Sequence, residues 1–134
     1  MAIIVDSNII LDILTEDKQW YKWSSEQLVN LSEDNELIIN QVIYSEISVR
    51  FSSIEDLDQV IAEAGLKCEN LPWEASFLAG KCFMQYKNNT GTKRSPLPDF
   101  YIGAHAAITK RVLLTRDTNR YQTYFNNLEI LSPS

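Results

Sequence analysis

The sequence predicts an α/β fold: one three-layer α/β/α domain over residues 1–134, with helices on both sides of a mostly parallel sheet of about five strands. Three observations predict it. Short apolar runs without polar alternation recur along the chain, as expected for strands buried on both faces. Segments with helical spacing separate these runs, which implies βαβ units with right-handed crossovers. The length of 134 residues, with 45% hydrophobic and 22% charged residues, suits one compact core and leaves no room for a second.

In chain order, Ala2-Ile3-Ile4-Val5 reads as the first strand and residues 7–14 as a helix. Trp20, Trp23, Leu28 and Leu31 then fall on one side of a helical wheel and read as a core-facing stripe. Leu37-Ile38-Ile39 is the second strand, followed by helices at 41–51 and 53–64, with Gly65 as a C-terminal stop. Residues 67–71 are a weakly patterned candidate for a short edge strand, and 73–87 is helical. Residues 88–98, rich in Asn, Gly, Ser and Pro, read as a long surface loop that cannot continue a helix. A helix at 99–110 and strands at 112–114 and 128–131 complete the chain.

Composition excludes several chemistries. Cys68 and Cys82 cannot build a disulfide framework, and a lone His105 cannot supply a two-histidine zinc site or acid/base pair. Gly65, Gly80, Gly91 and Gly103 match neither glycine-rich nucleotide fingerprint. No apolar stretch approaches the roughly 20 residues that cross a bilayer, and the N-terminus lacks the pattern of a signal peptide, so no membrane and a reducing cytoplasm are expected. The net charge of −6 hides an asymmetry: residues 1–67 carry four bases against 13 acids, and residues 68–134 eight bases against five acids. Between Lys81 and Arg120 all eight of those bases surround only Asp99 and Asp117. Solvated helix faces explain any one lysine; the clustering makes a polyanion-binding face an equal reading.

Two acids follow strands. Asp6 comes directly after the first, and Asp117 two residues after Thr115, which itself follows Leu113-Leu114. The carboxyl edge of an open parallel sheet holds the ligand crevice, although Asp6 in Asp6-Ser7-Asn8 would equally serve as a helix cap. Asp99 shares a helix face with Ile102, Gly103 and Ala106, at spacings of three, four and seven. Glu46 borders the apolar stripe formed with Val42 and Ile43, where an acid needs a partner. Should these four acids converge, each pair about 5 Å apart would repel by roughly 3 kcal/mol at an effective dielectric near 20. Such a cluster demands a cation, and all-oxygen ligation by carboxylates and water suits Mg²⁺ or Mn²⁺ and phosphodiester hydrolysis.

Four motifs in order then carry a resemblance over essentially the whole chain: Ile4-Val5-Asp6-Ser7-Asn8, Tyr44-Ser45-Glu46-Ile47, Pro98-Asp99-Phe100-Tyr101-Ile102-Gly103-Ala104-His105-Ala106, and Leu114-Thr115-Arg116-Asp117-Thr118-Asn119-Arg120-Tyr121. The sequence resembles PIN-domain ribonucleases, most closely the VapC-type toxins of toxin–antitoxin pairs. The resemblance implies that Asp6, Glu46, Asp99 and Asp117 bind one or two divalent ions and activate water to cut RNA. It implies that Ser7 orients the first acid, that Asn8 fits the position that commonly follows, and that Thr115 is a strand-end hydroxyl. Asn119 lies near where some relatives place a further acid. It also implies a homodimer and a cognate antitoxin. Lys93, Arg94, Arg116 and Arg120 are read from charge and placement as holding the RNA backbone, and Asp12 as a solvated acid. Two rivals stand: a catalytically silent PIN-like protein-binding module, and an α/β phosphatase or phosphotransfer domain. The latter wants a second aspartate where this chain has Asn8.

Overall fold

The computed structural model describes residues 1–90 and 97–133. The elements are β1 (Ala2–Val5), α1 (Ser7–Leu14), α2 (Tyr21–Ser32), β2 (Glu36–Ile39), α3 (Gln41–Ser48), α4 (Ile54–Glu63), β3 (Leu66–Cys68), α5 (Trp73–Thr90), α6 (Leu97–Thr109), β4 (Val112–Leu114), α7 (Thr118–Tyr124) and β5 (Ile130–Leu131). The five strands lie in the order β3-β2-β1-β4-β5 and every neighbouring pair is parallel. β1 is central, with Ile4 in register with Ile38 on one side and Leu113 on the other. Ile4, Ile38, Ile39, Leu113 and Leu114 have no exposed surface, as double-sided cover requires. Each such side chain contributes roughly 1.5–3 kcal/mol relative to exposure.

The strand order sets the position of the crevice. From β1 the chain steps outwards through β2 to β3, then returns past β1 to β4 and continues to β5. With right-handed crossovers, the two directions put their helices on opposite faces. The direction therefore reverses between β1 and β4, and the carboxyl ends of those two strands deliver Asp6 and Thr115 to the switch point.

Several sequence expectations change. Of the expected loop at 88–98, residues 88–90 end α5 and residues 97 and 98 begin α6, while residues 91–96 lie outside the described residues. Helix α5 continues through Asn88 and Asn89 despite their weak helix propensity. Pro98 is accommodated in the first turn, where its missing N–H has no intrahelical partner to lose. Lys93 and Arg94 lie outside the described residues. α7 has no counterpart in the sequence reading, since Thr118–Tyr124 is polar except for its tyrosines, and Tyr121 is its buried residue. The Trp20, Trp23, Leu28 and Leu31 side chains are half-buried: Trp23, Leu28 and Leu31 cover the core, while the buried residue of α2 is Ser24. The weak strand candidate is real and is the edge strand β3. Gly65 ends α4 with φ of +71°, in the left-handed region where glycine carries no side-chain penalty. Among the described residues, no helix is long and apolar enough to cross a membrane.

A buried polar chain ties α3 to α6. Asn40 caps α3 by accepting from the Ile43 N–H through Oδ1 (3.0 Å), which leaves its amide Nδ2 to donate to His105 Nδ1 at 2.9 Å. His105 is fully buried and is therefore neutral, with its proton on Nε2, where it donates to Glu69 Oε2 at 2.8 Å. Burial holds the His105 pKa below its ordinary value despite Glu69. Burial pushes Glu69 upward, but Arg111 and His105 outweigh it and keep that carboxyl low. Glu46 on α3 and Asp99 on α6 thus belong to helices locked to each other.

Gly103 lets α7 close on α6. A Cβ there would stand 2.5 Å from Phe125 Cε2 and 3.0 Å from Tyr121 Cδ1. Gly103→Ala is expected to cost about 1–3 kcal/mol through overpacking, read as a lowered thermal midpoint. Gly103→Ala/Phe125→Leu should recover part of that loss, and equal midpoints for wild type and Gly103→Ala would refute the close approach.

Candidate active site

Asp6 sits where β1 ends and α1 begins, and its backbone N–H extends the β1–β4 ladder by donating to the Leu114 carbonyl at 2.9 Å. Its carboxylate is 3% exposed. Oδ1 accepts the Ser7 N–H at 2.7 Å, which makes Asp6 the cap of α1 as well as a site residue. Oδ2 accepts the Thr115 hydroxyl at 2.7 Å and the Tyr121 hydroxyl at 2.9 Å. Burial nevertheless wins. Desolvation, with a further push from the Asp99 charge, raises the Asp6 pKa to about 6 against the lowering effect of these donors.

The other acids gather around it. Ser7 turns its hydroxyl away from Asp6, 3.5 Å distant, to donate to Glu46 Oε1 at 2.8 Å. Ser7 thus orients the first acid through its backbone and the second through its side chain. The Glu46 pKa is raised by burial and by Asp99, with the Ser7 bond opposing. Asp99, in the first turn of α6, is raised by burial and Asp117, while Arg120 pulls it down. Arg120 on α7 donates to Asp99 Oδ2, and its Nη1 stands 4.0 Å from Asp117 Oδ2. Asp117 is at the rim, with its side chain 47% exposed. The structure therefore brings Asp6, Glu46 and Asp99 into one electrostatic group and leaves Asp117 at its edge. Asn119 is exposed on α7.

Thr115 and Asn8 frame the group. The Thr115 hydroxyl donates to Asp6 and accepts from the Asp117 N–H and from Asn8 Nδ2, both at 3.1 Å. Asn8 Oδ1 accepts the Arg116 N–H at 3.3 Å. One helical turn on, Asp12 takes the Arg116 side chain, with Oδ2 accepting Nε at 2.7 Å and Oδ1 accepting Nη2 at 2.9 Å. Asp12 also accepts from the Ser24 hydroxyl at 2.7 Å, and Arg116 lies over the Trp20 ring at 5.0 Å. Asp12 is consequently a buried structural acid rather than a solvated one, because positions 8 and 12 share the helix face turned to the β4–α7 loop.

Tyr121 is the residue that sequence reasoning missed. It is 1% exposed, and burial together with the Asp6 and Asp99 charges pushes its pKa well above the ordinary value. It therefore stays a hydroxyl donor at any working pH. Its place three residues after Thr118, in a segment without apolar periodicity, gave no signal beyond membership in the fourth motif.

The donor set fits a hard divalent ion: three neighbouring carboxylates, two of them sharing a serine and one short of compensation for its burial. Among the described residues, however, no three acids, histidines or cysteines stand at the spacing of a ready-made metal cage. A groove of about 620 Å³ lined by Met1, Lys110, Val112, Phe125 and Glu129 opens at the amino ends of the strands, remote from these acids.

The sequence matches the PIN domain family over residues 3–126. The chain belongs to the PIN domain family. Comparison with curated protein sequences finds no match. Among solved structures, this PIN domain is similar to a chain in the crystal structure of VapBC2 from Rickettsia felis bound to a DNA fragment from their promoter (16% identity, TM-score 0.72, 100% of each chain covered). It is also similar to chains of VapBC-1 from nontypeable Haemophilus influenzae (19%, 0.71, 98% of each) and of FitAcB from Neisseria gonorrhoeae (18%, 0.65, 97% of this chain and 96% of that one). At these identities the likeness is one of fold.

The Asp6 shift predicts how metal-free stability depends on pH. An acid whose folded pKa is about 6 and whose ordinary value is 3.8 holds its proton better in the fold. Its contribution is complete below about pH 4 and is lost as pH rises through 6, about 3 kcal/mol in all. In EDTA, the stability of wild type relative to Asp6→Asn should therefore fall between pH 4 and 6.5, as urea unfolding would measure. A pH-independent difference would show that Asp6 is solvated.

Proposed function

We propose that this PIN domain is a divalent-metal-dependent endoribonuclease and acts as the toxin of a VapBC-type toxin–antitoxin pair, inhibiting translation or growth. The observation that carries the reading is the buried Asp6 carboxylate, raised to about 6 beside Glu46 and Asp99 at the topological switch point. Membership in the PIN domain family supports nuclease chemistry, and the fold shared with chains of VapBC complexes supports the toxin role. The proposal takes residues 1–134 as one domain, cytoplasmic, homodimeric and paired with a cognate antitoxin.

In the proposed mechanism Asp6, Glu46, Asp99 and Asp117 would hold one or two Mg²⁺ or Mn²⁺ ions, and when bound these would supply Lewis-acid activation of water and charge stabilisation for the phosphodiester. Thr115, Tyr121 and the Ser7 N–H fix the Asp6 oxygens, so that ion binding requires no search for the ligand geometry of this acid. The Ser7 hydroxyl fixes Glu46, and the Asn8 amide donates to the Thr115 hydroxyl at 3.1 Å and reaches Asp6 Oδ2 at 3.4 Å, steadying both. Asn119, exposed on α7, is assigned at most an outer contact. Arg120, Lys93 and Arg94 are the proposed RNA backbone contacts; Arg116 is committed to Asp12 and is left out of that set.

The test is cleavage of RNA by purified protein with Mn²⁺ or Mg²⁺ and with EDTA. Loss of outer-shell partners commonly costs 10–100-fold, so Asp6→Asn and Asp99→Asn, which remove ligands outright, should lower cleavage by at least about 100-fold. Circular dichroism should show both variants folded. Full activity in either would overturn the site. Hydrolysis of a small phosphate ester without RNA cleavage would favour a phosphatase, and absence of both a protein-binding module.

A further inference from the structure

Among the described residues no metal cage is preformed, and a cationic side chain lies among the acids. Among the described residues, the ion pairs made by Asp6, Glu46, Asp99 and Asp117 run to Arg120 alone. Its Nη1 donates to Asp99 Oδ2 and stands 4.0 Å from Asp117 Oδ2, while the side chain remains about one-third exposed (35%). It therefore sits on the lone pairs that an ion bound between Asp6 and Asp99 would need. The neighbouring Arg116 cannot substitute for it, because its fork is closed on Asp12 at 2.7 and 2.9 Å and its face is covered by Trp20.

Resting on the metal-dependent reading above, we infer that Arg120 is an internal counter-ion that a divalent cation must displace from Asp99, and that the displaced guanidinium then binds a substrate phosphate. Both halves follow from charge and geometry. Without metal, the Arg120 guanidinium neutralises the Asp99 carboxylate through an ion pair and a hydrogen bond. With metal, a +2 ion on the same oxygen repels the guanidinium. The side chain starts at the rim, so it can swing outwards without unpacking α7, whose anchor is the buried Tyr121. A guanidinium that donates through Nη1 to a carboxylate oxygen can, once free, present its planar fork to a phosphate. Arg120 thus makes the metal-free site tolerable and makes RNA binding at the acids conditional on the ion.

Arg120→Gln and Arg120→Lys test the inference, with thermal melts in EDTA establishing that each is folded. Mn²⁺ is titrated calorimetrically at pH 8 without RNA. Arg120→Gln should bind Mn²⁺ roughly tenfold more tightly than wild type, the worth of one charge-assisted hydrogen bond. Arg120→Lys, which keeps the charge but loses the fork, should gain less. Binding of a non-cleavable 2′-O-methyl oligonucleotide is then followed against salt. In Mn²⁺ the slope should be shallower by about 0.7 in Arg120→Gln, one lost phosphate contact, and in EDTA it should match wild type. Equal or weaker Mn²⁺ affinity in the Gln variant would overturn the displacement, and an equal slope in Mn²⁺ the phosphate contact. Absence of Mn²⁺ binding in all three proteins would instead refute the metal site, and the inference with it.

Discussion

A carboxylate has been taken out of water at the centre of the molecule, and most of the local architecture answers that fact. Asp6 cannot escape burial, because its backbone is part of the β1–β4 ladder and its side chain caps α1. Three donors reduce the cost of its charge without cancelling it: the Ser7 N–H, the Thr115 hydroxyl and the Tyr121 hydroxyl. They come from α1, from the end of β4 and from α7. Each of those elements must be held to sub-ångström tolerance for the bonds to persist.

The structure supplies that tolerance with buried polar clasps around the site. Asn8 and Asp12 grip the backbone and side chain of Arg116 and so fix the loop bearing Thr115 and Asp117. Asn40, His105 and Glu69 lock α3 to α6, which fixes Glu46 relative to Asp99. Gly103 permits the approach that presses Tyr121 onto Asp6. At the rim of this frame, Asp99, Asp117 and Arg120 meet in partial solvent.

Much of this was legible in the sequence, and the division has a physical cause. Double-sided burial writes itself as unbroken apolar runs, so β1, β2 and β4 stood out, and the motifs put Asp6 and Asp117 after strands, Asp99 at a helix start and Glu46 inside a helix. What escaped depended on contacts between segments far apart in the chain. The polar run of α7 conceals a helix because one buried tyrosine and its packing on Gly103 hold it. Asp12 read as solvated because nothing local announces Arg116, 104 positions away. The same pairing removes Arg116 from a free basic face, a distinction that charge counting cannot make. Asn88 and Asn89 read as loop by propensity, yet they belong to α5, whose body packs on α6.

The central claim is that Asp6 and its neighbouring acids are held apart from water in order to bind a divalent cation. The most direct measurement is anomalous scattering from crystals soaked in Mn²⁺ with the metal-free crystal as control. The account predicts one or two Mn²⁺ peaks with oxygens of Asp6 and Asp99 at about 2 to 2.3 Å, the distances of hard-ion coordination. It also predicts the Arg120 guanidinium withdrawn from Asp99. Well-ordered crystals at saturating Mn²⁺ with no peak at Asp6, and Arg120 still paired with Asp99, would contradict it.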